Sequence, residues 1–200
     1  MANVVRAALV QATWTGDTES MVAEHERHAR EAARIIGFQE VFDAPYLWEK
    51  YYFRPGNLGW PVFDTAVGKV GVSLCYDRHF PEGRRQLGLD GAQLVDNPSA
   101  THRGLSFRLW RLEQPAAAVA NACFVAAINR VGQEEYGDDD LYGTSYFDDP
   151  RGRFVGRTAS DTAEELPARD LDFDLIEAVR QQWASYRDRR PDAYEGLVQP

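Results

Sequence analysis

Lysine is nearly missing from this chain. Of its 22 lysines and arginines, only Lys50 and Lys69 are lysines. Cysteine is as scarce: Cys75 and Cys123 stand alone, so no disulfide framework exists, and both read as reduced thiols of a cytoplasmic protein. Positive charge is short overall. A net charge of −9 argues against nucleic acid and against anionic membranes as partners. No apolar run is long enough to span a bilayer, and no charged-then-apolar leader opens the chain. Metal-ligand patterns are missing too. His25 and His28 lie three apart on a helical stretch with no third ligand near. The acids between residues 134 and 140 lack the alternation of a calcium loop. These patterns give no reason to expect a metal site.

What is present is ordinary for a globular protein. At 200 residues, 44% hydrophobic and 26% charged, the chain is long enough for one domain with a sizeable core. Its centre of interest is residues 70–82, VGVSLCYDRHFPE. The β-branched run 70–74 reads as a buried strand, and Pro81 opens a helix. Cys75 therefore falls at a strand end before a turn into a helix, where α/β enzymes put nucleophiles and where backbone N–H groups can hold an oxyanion. Arg78 and His79 add positive character that favours thiolate. The competing reading is a buried core cysteine, a common fate of free thiols.

Taken in order, residues 4–11 read as a first, central strand and residues 19–34 as a helix. Residues 35–38 form a second strand with Glu40 at its carboxyl end, either a working acid or an exposed strand-end one. Residues 57–65 lead into an edge hairpin that turns at Gly68. A helix over 82–89, closed by Asp90-Gly91, and a strand over 92–95 complete a β-α-β unit. Residues 105–127 hold a helix and then a strand. Leu109, Leu112, Ala116, Val119 and Ala120 are its expected buried face, with a kink or break at Pro115. Strands at 142–147 and 153–155, a strand at 166–171 and a helix at 172–186 follow, the last burying Leu175, Ile176, Val179 and Trp183. Cys123 is expected in the core. The alternation is that of an α/β fold.

The segment CYDRHFPE, with PGNLGWPVFDT before it and NPSAT after it, resembles the nitrilase superfamily of carbon–nitrogen hydrolases. FQEVFDAPY and the long run LWRLEQPAAAVANACFVAAINRVG are similar to the same family. The resemblance covers residues 1–200 as one domain and implies an α-β-β-α sandwich, here shortened. Near residues 46–48 the family's next strands and helices are absent, together with the segment that carries its catalytic lysine. Neither Lys50 nor Lys69 matches that motif. A shortened sandwich should expose apolar surface, lowering stability or calling for a partner.

The resemblance also implies a chemistry: hydrolysis of an amide or ureido C–N bond through a thioester. It makes Cys75 the nucleophile, Glu40 the general base and Glu49 a supporting acid. The backbone N–H of Tyr76 would hold the oxyanion. Arg78 and His79 would bind a substrate carboxylate, or Arg78 would pair structurally with Asp77 or Glu82. NPSAT and LWRLEQP look most like enzymes of N-carbamoyl amino acids such as N-carbamoyl-β-alanine, with N-carbamoylputrescine as the alternative. A catalytically impaired subunit is the other alternative. The tail, residues 187–200, resembles segments that dock across a subunit interface and implies a homo-oligomer.

Overall fold

A computed structural model describes residues 3–11, 13, 20, 56, 58–133 and 140–199. The readings at Glu40, Glu49 and Lys50, the helix at 19–34, the strand at 35–38 and the acids 134–139 lie outside the described residues.

The described chain runs through β1 (Val4–Ala8), β2 (Val62–Thr65), β3 (Gly68–Val72), a 3-10 turn (Cys75–His79), α1 (Pro81–Leu89), β4 (Leu94–Ser99), α2 (Leu105–Asn121) and β5 (Phe124–Asn129). It continues through β6 (Val131–Gln133), β7 (Asp140–Tyr142), β8 (Tyr146–Asp148), β9 (Ala168–Asp172) and α3 (Asp174–Gln182). One sheet has the order β2-β3-β4-β5-β8, with β3, β4 and β5 parallel and both edge strands antiparallel. A second sheet pairs β1 with β9.

Two apolar clusters give the layers their order. Val5, Ala7, Leu9, Leu94, Phe124, Ala126, Phe147 and Leu171 interlock between the two sheets. On the other face of the large sheet, Leu87, Ala92, Val95, Ala118, Cys123 and Val125 join α1 and α2 to it. Alternate residues of β4 and β5 feed the two clusters, as a strand covered on both faces requires. The expected α/β sandwich is therefore present, and Cys123 is a core residue, 1% exposed.

Several details depart from expectation. Among the described residues β1 pairs with β9, and its expected central place turns on the strand at 35–38, which lies outside them. The strand expected at 92–95 runs over Leu94–Ser99 instead, through Pro98. Gln93 and Ser99 accept hydrogen bonds from the β5 side, whereas Asp96 accepts from Ser73 on the β3 side. Pro98 thus turns its nitrogen toward β3, where pairing has already stopped at Asp96, and costs the sheet no bond. The stretch 142–147 is not one strand. Gly143 and Thr144 are both left-handed (φ 51° each), which splits it into β7 and β8 in different sheets.

The helix faces also needed correction. α2 passes Pro115 unbroken; that residue is half-exposed, so water can satisfy the carbonyl freed one turn earlier. Its buried residues are Trp110, Gln114, Ala118 and Asn121, not the apolar row expected. Leu112 and Val119 are more than half exposed. α3 ends at Gln182, so Trp183 leaves the helical repeat and is 69% exposed, while Ile176 and Val179 are buried as expected.

Candidate active site

β3, β4 and β5 run side by side and deliver three loops to one edge of the sheet, the carboxyl edge where α/β proteins place their sites. The loop after β3 turns sharply. Leu74 is extended (φ −83°, ψ 126°) and Cys75 is left-handed (φ 36°). A side chain rarely adopts that conformation, which costs on the order of 1–3 kcal/mol unless the surroundings impose it.

The surroundings that impose it are polar and buried. Asp77 turns back, its Oδ2 accepting from the Leu74 N–H at 2.9 Å. Asn97 Nδ2 donates to the carbonyls of Ser73 and Cys75. Asn97 is itself held by Gln114 Nε2 from α2. Arg84 of α1, 2% exposed, donates from Nε to Ser73 Oγ at 3.3 Å. Burial lowers its guanidinium to about 10. Thr101 and Asn129 lock the β4 and β5 loops together, Thr101 N–H donating to Asn129 Oδ1 at 2.9 Å.

Cys75 is 1% exposed. Burial pushes its thiol up, while Arg78, the Ala100 backbone and the Ser99 hydroxyl pull it down without reversing the direction. Arg78 lies under the turn. Its Nη1 is 3.0 Å from the Cys75 carbonyl oxygen and 3.9 Å from Sγ, and Nη2 donates to Ser106 Oγ at 3.2 Å. Its guanidinium also lies 5.7 Å from the Trp110 ring centre. The ion-pair partner is Glu113 of α2, at 3.3 Å, and neither Asp77 nor Glu82. Glu113 takes His79 as well, with Nδ1 2.7 Å from Oε1. The Tyr76 ring stands edge-on to His79 and Phe80, at 5.0 and 5.4 Å.

The structure thus gathers Cys75, Tyr76, Arg78 and His79 into one turn. Of the lysines, Lys69 is on the edge hairpin, paired with Asp64 at 2.7 Å. No group of three or more His, Cys, Asp or Glu side chains among the described residues could hold a metal. Sequence reasoning missed Glu113, Ser106, Asn97 and Gln114. One signal was available for Glu113: two basic residues in a row beside a buried thiol need a carboxylate.

A buried thiol held as a neutral acid can attack a carbonyl once a base takes its proton, and that chemistry is acyl transfer. Residues 43–181 match the carbon–nitrogen hydrolase family. The chain is 39% identical over 168 residues to an N-carbamoylputrescine amidase of Arabidopsis thaliana, covering 78% of this chain and 56% of that one. It is 35% identical over 164 residues to a β-ureidopropionase of the same plant, covering 75% and 40%. It therefore spans about half the length of the curated relatives it matches. A solved carbon–nitrogen hydrolase from Helicobacter pylori G27 superposes with a TM-score of 0.85 over 98% of this chain and 99% of that one, at 22% identity, which shows a shared fold. The chain belongs to the carbon–nitrogen hydrolase family of the nitrilase superfamily.

Proposed function

We propose that this chain hydrolyses the C–N bond of a small amide or ureido compound through a thioester on Cys75. The observation that carries the reading is the left-handed, buried Cys75, with a guanidinium 3.9 Å from its sulfur, at the carboxyl ends of parallel strands. In this scheme Glu40 takes the thiol proton, sulfur bonds to the substrate carbonyl carbon, and the Tyr76 N–H receives the oxyanion. The leaving amine or ammonia departs with the proton from Glu40. Water, deprotonated by the same acid, then displaces the thiol. Glu49 supports the acid pair. No cofactor enters.

The relatives' names point to a carbamoyl substrate. The NPSAT and LWRLEQP segments favour an N-carbamoyl amino acid, and Arg78 reading a carboxylate would argue further against N-carbamoylputrescine. The Arg78 side chain is 1% exposed and engaged by Glu113, so we propose that it serves the thiol instead and leaves the distal group to other residues. We further propose a cytoplasmic homo-oligomer. Two free, buried thiols support the compartment. Leu105, Leu112 and Val119, exposed at seven-residue intervals along α2, support association. A second reading, a shortened relative without turnover, is favoured by the lack of a lysine in the family's motif.

Ammonia release from N-carbamoyl-β-alanine and from N-carbamoylputrescine, by the parent and by Cys75→Ala, decides between them. Release by the parent alone supports hydrolysis, and the faster substrate identifies the distal group. Equal background release from both proteins supports the second reading.

A further inference from the structure

A thiol beside a guanidinium ordinarily ionises early. Cys75 does the reverse despite Arg78 at 3.9 Å. Burial is the largest cause. Glu113, its side chain 22% exposed, meets the guanidinium with Oε2 3.3 Å from Nε, whereas Nη1 faces the Cys75 sulfur. An anion there weakens the field that the cation exerts at sulfur, and a site this enclosed is screened little by salt.

The remaining charged groups around this pair are few among the described residues. Arg84 approaches Arg78 from α1, and Tyr142 approaches both Arg78 and Cys75 from β7. His79 holds the other oxygen of Glu113. From β4 only Ser99 and the Ala100 backbone meet the sulfur, and neither titrates. Glu113 is thus, among the described residues, the anion paired with the cation that touches the nucleophile.

We propose that Glu113 is a positioning residue for Cys75: through Arg78 and His79 it pins the turn, and it offsets the Arg78 charge that faces the sulfur. This rests on reading Cys75 as the nucleophile. It explains why a base is needed at all. A thiol that stays neutral hands its proton to the general base during attack, and that proton is the one the leaving group requires.

The test is the pH profile of Cys75 alkylation by iodoacetamide in a Cys123→Ala background, which needs no turnover. Glu113→Gln keeps the shape and removes the charge. It is expected to alkylate roughly tenfold faster at neutral pH, its midpoint falling by about one unit. Arg78→Gln is expected to move the profile the other way, roughly tenfold slower. Glu113→Asp restores the charge and is expected to follow the parent. Opposite signs are the mark of an electrostatic chain, because a loosened fold would expose the thiol and accelerate both variants. Superimposable profiles, or shifts of one sign, would overturn the proposal. If Glu113→Gln fails to fold, Glu113→Ala takes its place, with the same sign expected and the same outcomes deciding. Ammonia release measured alongside separates the two readings: shifted profiles without hydrolysis leave Glu113 in its role and remove the hydrolase, and hydrolysis with unshifted profiles does the opposite.

Discussion

The two cysteines are equally hidden, each 1% exposed, and they have little else in common. Cys123 follows the end of α2 and packs among Leu87, Ala92, Val95, Ala118 and Val125. Burial drives its thiol up to about 11, against a pull from Arg84, Arg180 and Arg85. Cys75 sits on a left-handed backbone, touches Arg78, and meets polar groups of β4. Each thiol has a strained residue close by, but the strain falls on Ala122 in one case and on the cysteine itself in the other. Burial therefore says nothing about which thiol works; backbone conformation and polar company do.

The largest expected effect breaks the pair apart. Cys75→Ala should lose hydrolysis by at least about a thousandfold, as removing a nucleophile does, while Cys123→Ala should keep it within about twofold. Cys123→Ala should instead lower stability by about 1–2 kcal/mol in a denaturant titration. A strong loss of activity in Cys123→Ala would show that the distinction is wrong.

Next in size is a pH effect that extends the Cys123 condition, burial without pairing, to acids. Asp148 is fully buried with both carboxyl oxygens unbonded, and burial pushes it up to about 8; Asp96 rises to about 7 for the same reason. The folded protein then holds protons that the unfolded chain has released. Stability from these two acids is present at low pH and falls as pH rises from about 4 toward about 8. Asp148→Asn should flatten that fall and gain on the order of a few kcal/mol at alkaline pH relative to the parent. Melting curves at several pH values check the sign, and a parent that melts higher as pH rises through that window would refute it.

A smaller effect tests the polar company of Cys75. Asn97→Ala leaves the Ser73 carbonyl without its side-chain donor, while Arg78 still serves the Cys75 carbonyl, and should cost roughly 1–3 kcal/mol. It should speed Cys75 alkylation as well, because a relaxed turn exposes the buried sulfur. The smallest is a gain. Ala122→Gly relieves a left-handed alanine (φ 42°) and should stabilise by about 0.5–1 kcal/mol with activity unchanged, read from the melting temperature.

The elbow, the edge hairpin, the β-α-β unit and the core place of Cys123 were legible in the sequence because each has a local signature: a β-branched run, a glycine turn, a helix stop. The buried face of α2 was not. Counting apolar residues selected Leu112 and Val119, whereas the interior at that edge of the sheet is polar and takes Gln114 against Asn97 and Trp110 against the Thr144 carbonyl. Glu113 was hidden for the same reason. Its partners lie 34 and 35 positions away, and hydrophobic periodicity carries no mark for an acid that belongs to a distant turn. The split of 142–147 was missed because Thr144, unlike Gly143, gives no warning of a left-handed backbone.

The pairing of β1 with β9 reaches beyond the site. Arg6 and Asp170, 164 positions apart in the chain, clasp across it. During synthesis the first strand leaves the ribosome long before its mate exists, so that sheet is a late event and the larger one must stand without it for a time. A chain released early would keep the turn at Cys75 yet leave Val5, Ala7 and Leu9 without Leu171 and Phe173 against them, a surface suited to capture by chaperones.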